Sequence, residues 1–124
     1  MVVRKTERVI AYIDGYNFYY GLKESRWERY LWLDFPKFVQ NLLKDSQELV
    51  TTKYFTTRIS GPTAKRKRQS TFLEALEVRG NIEIYFGQFR VNPRICNRCR
   101  AITHVPSEKM TDVNIAVQMM TDAF

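Results

Sequence analysis

Histidine is nearly missing from this chain: His104 is the single one among 124 residues. A lone imidazole is too little for acid–base catalysis, and no serine or cysteine triad can be assembled around it. Cysteine is almost as scarce. Cys96 and Cys99 form one Cys-x-x-Cys, which in a reducing compartment points to a metal or redox site rather than a structural disulfide. Five glycines and four prolines leave no low-complexity linker, and no internal repeat is visible. No run of about 18 apolar residues occurs, so no membrane span is expected. Residues 1–8 have no apolar signal core either, and the expected location is cytoplasmic. Acids are outnumbered, with 13 Asp and Glu against 20 Lys and Arg and a net charge of +7. That excess bears on partners and not on fold: nucleic acid comes first, an anionic membrane surface second.

What is present suffices for one compact domain over residues 1–124, because 44% of them are apolar and 14% aromatic. The chain is organised around residues 9–18, Val-Ile-Ala-Tyr-Ile-Asp-Gly-Tyr-Asn-Phe, an apolar run that stops at a carboxylate, a glycine and an amide. Such a run bounded by turn residues predicts a buried strand over 8–13 with Asp14 at its carboxyl end. Ligands bind at that end in open α/β sheets, although Asp-Gly is also the commonest kind of turn.

A short aromatic helix opens at Asn17, and residues 25–33 read as a loop with Trp27, Tyr30 and Trp32 packed down. Asp34 and Pro36 mark a helix start, with Phe38, Val39, Leu42 and Leu43 at helical spacing to about 44. Residues 50–59 are β-branched and aromatic, a second strand ending at Ser60-Gly61-Pro62. A helix from Thr63 places Phe72, Leu73, Leu76 and Val78 inside, with Gly80 as its C-cap. Residues 82–86 make a third strand, residues 89–107 an inserted hairpin or loop carrying the cysteines. A last helix from Thr111 has Val113, Ala116, Val117 and Met120 as its apolar stripe. Alternation of strand and helix predicts an α/β three-layer sandwich with a short parallel sheet and right-handed crossovers. Because such units usually return their last helix into another strand, either the sheet has three strands or something else completes it.

Several side chains are candidates for chemistry. Asp14 and Asp112, the latter in a helix's first turn, can face the same sheet end and hold Mg²⁺ or Mn²⁺, whose bound water attacks a phosphodiester. Asp112 equally suits a helix dipole, and Asn17 is read as a helix cap or as a hydrogen-bond partner of a metal-bound water or a scissile phosphate. Glu108 and Lys109 could add a ligand and a phosphate contact. Arg58 with Lys65, Arg66, Lys67 and Arg68 puts five cations on the same edge, a phosphate-binding cluster or a solvated helix face. Cys96 and Cys99 supply half a zinc site and His104 a third ligand, whereas a structural site needs four. Zinc shared with a second chain and two plain loop thiols both remain open.

Residues 12–19, Tyr-Ile-Asp-Gly-Tyr-Asn-Phe-Tyr, resemble the Asp-Gly-x-Asn signature that opens NYN domains, the LabA-like branch of the PIN-like nucleases. Residues 108–116, Glu-Lys-Met-Thr-Asp-Val-Asn-Ile-Ala, resemble the second motif of that family, and residues 68–76 its middle helix. The resemblance implies a PIN-like sheet of four or more parallel strands and metal-dependent hydrolysis of RNA. Asp14 and Asp112 would be the Mg²⁺ or Mn²⁺ acids and Asn17 the first-motif amide, with Asp122 a surface acid. The alternative is a catalytically impaired RNA-binding or assembly module. The chain departs from the family in having no further strand and no Ser-Gly-Asp-x-Asp-Phe-like motif. It therefore reads as C-terminally truncated, as a homodimer, or as a unit whose sheet a second chain completes.

Overall fold

The fold comes from a computed structural model that describes residues 5–109 and 111–124, without the side chains of 88–91 and 105–109. In chain order it contains β1 (Glu7–Asp14), α1 (Gly15–Glu24), a 3-10 turn (Glu28–Tyr30), α2 (Phe35–Leu42), β2 (Gln47–Thr57) and α3 (Thr63–Arg79). These are followed by β3 (Ile82–Ile95), β4 (Ile102–Lys109) and α4 (Thr111–Ala123). The expected α/β class is what the structure has. One sheet runs in the order β1-β2-β3-β4, with β1, β2 and β3 parallel and β4 antiparallel to β3.

The third strand is longer than the apolar run 82–86 suggested, because it serves two neighbours in turn. Residues 82–87 pair with β2, and from Gln88 onward the same strand pairs with β4. Of the two forms expected for the cysteine-bearing insertion, the hairpin is the one found. Register places Asp14 beside Phe55 and Phe55 beside Tyr85, so the carboxyl ends of the three parallel strands form one edge. β1 is the outermost strand, and no described strand pairs with its far side.

Helices cover both faces, and strand alternation decides which side chains they meet. Tyr54 points to the side of α1, α2 and α3, where Phe35, Leu73 and Leu76 are buried with it and Ile13, Phe18, Phe72 and Ile84 pack around them. Lys53 and Phe55 point the other way. Phe55 is fully buried and stacks between Tyr12 and Tyr85, at ring separations of 6.3 and 5.1 Å. The start of α2 follows its local signals: the Asp34 carboxylate accepts the Lys37 N–H, and Pro36 lies in the first turn.

Gly15 is where the structure departs most from the local reading of Asp-Gly as turn chemistry. It is the buried first residue of α1, and a Cβ there would stand 2.8 Å from one Tyr54 ring carbon and nearer still to the ring's outer end. The glycine is needed for space. β1 and β2 are adjacent, and the helix leaving β1 must pass directly over the Tyr54 ring.

Other expectations need correction. Trp27, Tyr30 and Trp32 are exposed rather than packed down, although Trp32 meets the Phe72 ring edge-on at 5.5 Å. Val78 is exposed rather than inside α3. The stripe on α4 exists but faces outward: Val113, Val117 and Met120 are exposed, while Thr111, Asn114, Ile115 and Gln118 turn toward the sheet. Met120→Gln should therefore shift stability by no more than about 0.5 kcal/mol, whereas a core truncation such as Leu76→Ala should cost about 2–5 kcal/mol. Urea unfolding of the two variants checks the orientation of α4. A Met120→Gln loss as large as that of Leu76→Ala would place the stripe in the core.

Candidate functional site

The carboxyl edge gathers most of the residues singled out by type. Asp14 ends β1 and caps α1. Its Oδ1 accepts the Asn17 backbone N–H at 3.2 Å and its Oδ2 accepts the Asn17 side-chain amide at 2.8 Å. Asn17 is thus a tether for Asp14 and not the cap itself; the cap is the carboxylate. The pairing holds the acid in one orientation and leaves lone pairs on both oxygens for a further donor.

Asp112 lies in the first turn of α4, which begins beside the end of the β2-paired part of β3, where Asn114 donates to the Phe86 carbonyl at 3.4 Å. It shares an edge with Asp14, two strands away. Among the described residues no group of three or more Asp, Glu, His or Cys side chains is placed to hold a metal ion. The expected acidic metal-binding group is corrected accordingly. Asp14 and Asp112 stand on one edge, and among the described residues no third acid joins them. The side chains of Glu108 and Lys109 lie outside the described residues.

The basic residues follow β2 as expected. Arg58 comes directly after the strand and stacks on Phe86, its guanidinium carbon 4.5 Å from the ring centre. Lys65, Arg66, Lys67 and Arg68 occupy the exposed first turns of α3, where no acid offsets them and the cap position is Pro62. Gln69 ties this turn to the sheet, donating to the Thr57 carbonyl at 2.6 Å while its oxygen accepts the Ile59 N–H at 3.0 Å.

A cleft of about 280 Å³ opens along the free side of β1. Tyr12, Ile13, Phe18, Phe35, Phe38 and Val39 line it, and among the described residues Asp14 is the one charged residue in its wall. Three consecutive β1 residues can line one cleft because β1 is the outermost strand. Its volume is at the low end for a ligand pocket, and it combines aromatic walls with one hydrogen-bond acceptor.

A second cluster on the opposite face escaped the sequence reading. The Lys53 ammonium, with its side chain 8% exposed, donates to both oxygens of Asp122 at 3.0 and 2.8 Å and to Gln118 Oε1 at 3.1 Å. Its three protons meet three acceptors. The Tyr12 hydroxyl donates to Asp122 Oδ2 at 2.5 Å. Asp122 lies at the surface, as expected, and is also the structural partner of Lys53 and Tyr12. The signal was a lysine between Thr52 and Tyr54 in a buried strand, which requires an acid from elsewhere. Burial, followed by the Asp122 carboxylate, pushes Tyr12 up to about 12. The Lys53 hydrogen bond, followed by that of Tyr12, lowers Asp122, and the same Asp122 bond raises Lys53.

The zinc ligands separate. Cys96 and Cys99 sit exposed at the tip of the β3–β4 hairpin, whereas His104 lies down β4, opposite Pro93. That is two residues below the pair Ile95 and Ile102, about 7 Å along the strand, so the imidazole is not a third ligand beside the thiols.

No known family's sequence profile matches the chain, and no solved structure matches it. It is similar to a protein of Pseudomonas putida named 6-hydroxy-3-succinoylpyridine 3-monooxygenase HspA, with 32% identity over 153 aligned positions. The alignment takes in 94% of this chain and 47% of that protein, so the chain spans about half the length of the curated relative. That relative is named as an oxidoreductase of a heteroaromatic ring, and this overturns the expectation of a ribonuclease or other hydrolase for the chain.

Proposed function

We propose that the chain is the ring-recognition unit of an oxidoreductase, binding a small hydroxylated nitrogen heteroaromatic molecule in the cleft beside β1. The observation that carries this is the fixed Asp14 carboxylate in the wall of an otherwise aromatic and aliphatic cleft. A hydroxypyridine is planar and presents an N–H or O–H donor on its rim. Phe18 and Phe38 offer faces and edges for the ring, and Asp14 accepts the donor in a charge-assisted hydrogen bond. The relative's name supplies the substrate class, and the net charge of +7 favours approach of an anionic side arm. A PIN-like NYN scaffold is part of the reading, supported by the Asp-Gly-x-Asn and Glu-Lys-x-x-Asp-Val motifs. A cytoplasmic location also belongs to it, supported by two cysteines that stand as free thiols. Among the described residues no helix is long and apolar enough to cross a membrane.

Titration of the full chain with 6-hydroxy-3-succinoylpyridine, followed calorimetrically, tests the proposal. Asp14→Asn keeps an acceptable helix cap, so the fold should persist while affinity falls about tenfold with the loss of one charged hydrogen bond. Absence of binding to the unaltered chain, or equal affinity in the two proteins, would overturn the reading.

A further inference from the structure

The hairpin tip is built in a way that neither the cleft nor the fold explains. β3 ends at Ile95 and β4 begins at Ile102, leaving Cys96-Asn97-Arg98-Cys99-Arg100-Ala101 as the connection. Two backbone bonds close it: Cys96 N–H to the Ala101 carbonyl and Arg100 N–H to the Cys96 carbonyl, both 2.9 Å. Arg100 takes a left-handed conformation, φ 54°, to make the turn. The turn sets Cys96 and Cys99 together at the same end of the hairpin, both exposed.

We propose that two copies of this chain share one zinc ion, each contributing Cys96 and Cys99 from its hairpin tip to a tetrahedral four-thiolate site. One chain alone falls short of the four ligands that structural zinc takes, since among the described residues no third Cys, His, Asp or Glu accompanies the pair. Exposure of both thiols at the end of a projecting hairpin lets a second tip approach.

Charge and apolar surface both select a second copy as the partner. Four thiolates around Zn²⁺ carry a net charge of 2−, and each tip brings the exposed Arg98 and Arg100 beside them. Without zinc two such tips repel one another; with it the arginines meet the charge they lack. Directly beneath the thiols, Ile95 and Ile102 face each other across the hairpin, each 63% exposed. A second tip would cover that pair with its own.

The test uses the full chain purified with a non-chelating phosphine reductant and loaded with Zn²⁺ alone. Metal content by atomic emission should be one zinc per two chains, and light scattering should give the dimer mass. Chelation should return the monomer, and added Zn²⁺ should restore the dimer. Cys96→Ser and Cys99→Ser should each remove both zinc and dimer while the circular dichroism spectrum and melting midpoint stay at the values of the zinc-free parent, because both thiols are exposed. One zinc per monomer, no zinc with reduced thiols, or a dimer that survives Cys96→Ser would each overturn the proposal.

Discussion

Gly15→Ala is expected to destabilise the chain by about 1–3 kcal/mol, the cost of forcing a methyl group into a packed interior. Two terms favour alanine. It has the better helix propensity, by up to about 1 kcal/mol, and it reduces the entropy of the unfolded chain by about 0.4–1 kcal/mol. Both are smaller here than their full values suggest, since Gly15 is only the first residue of α1. Against them stands the Tyr54 ring, which a Cβ would enter well inside contact distance. Tyr54 cannot step aside cheaply. Its ring meets Phe35 at 5.2 Å and Phe72 at 6.2 Å, and all three belong to the core on the α1–α3 face. A double-mutant cycle isolates the cause. In a Tyr54→Ala background the ring is gone, so Gly15→Ala should become neutral or slightly stabilising, with a coupling near the whole of the single-variant loss. Urea denaturation of the four proteins gives the numbers. Equal penalties in both backgrounds would mean that backbone conformation, and not the ring, requires glycine at position 15.

The same residue shows where sequence reading of this fold succeeds and where it stops. Residues 8–13 were readable as a strand because helices cover both faces of the sheet and positions 9–13, half-buried between them, form an unbroken apolar run, and Asp34-Phe35-Pro36 as a helix start because capping is a matter of a few adjacent residues. The order of strands and helices followed from those local signals. The reason for Gly15 did not, since Tyr54 is distant in sequence and becomes a neighbour only when β1 and β2 pair. The helix at 111–123 was likewise legible as a helix and misread as to its face. Apolar periodicity normally marks the core side, but here the sheet presents Lys53, and the polar stripe of Gln118 and Asp122 turns inward to meet it. Asp14 was found from its place at a strand end. Its cleft could not be, because Phe18, Phe35, Phe38 and Val39 converge on β1 from two helices.

Asp122→Ala is the second substitution expected to act strongly, and it should do so through Lys53. A lysine with 8% of its side chain exposed would keep its charge and lose two of its three acceptors, the circumstance in which breaking an ion pair is most damaging. Tyr12→Phe removes only the hydroxyl that also binds Asp122, so it should cost about 1 kcal/mol. The Asp122→Ala loss should be clearly the larger of the two. Replacing the pair together, Lys53→Met with Asp122→Leu, should recover most of it, because no buried charge is then left alone. The pH dependence has a definite sign at each end. Asp122 titrates lower when folded than unfolded, so its contribution is complete above about pH 3.9 and is lost as pH falls through the depressed folded value. Tyr12 and Lys53 titrate higher when folded, and the folded chain therefore holds more protons above about pH 10. Stability falls from there as pH rises toward the Tyr12 value of about 12. Melting midpoints followed from acid to alkaline pH should flatten at both ends in Asp122→Ala. A variant whose acid and alkaline limbs match those of the parent would show that Asp122 does not hold Lys53 and Tyr12 in solution.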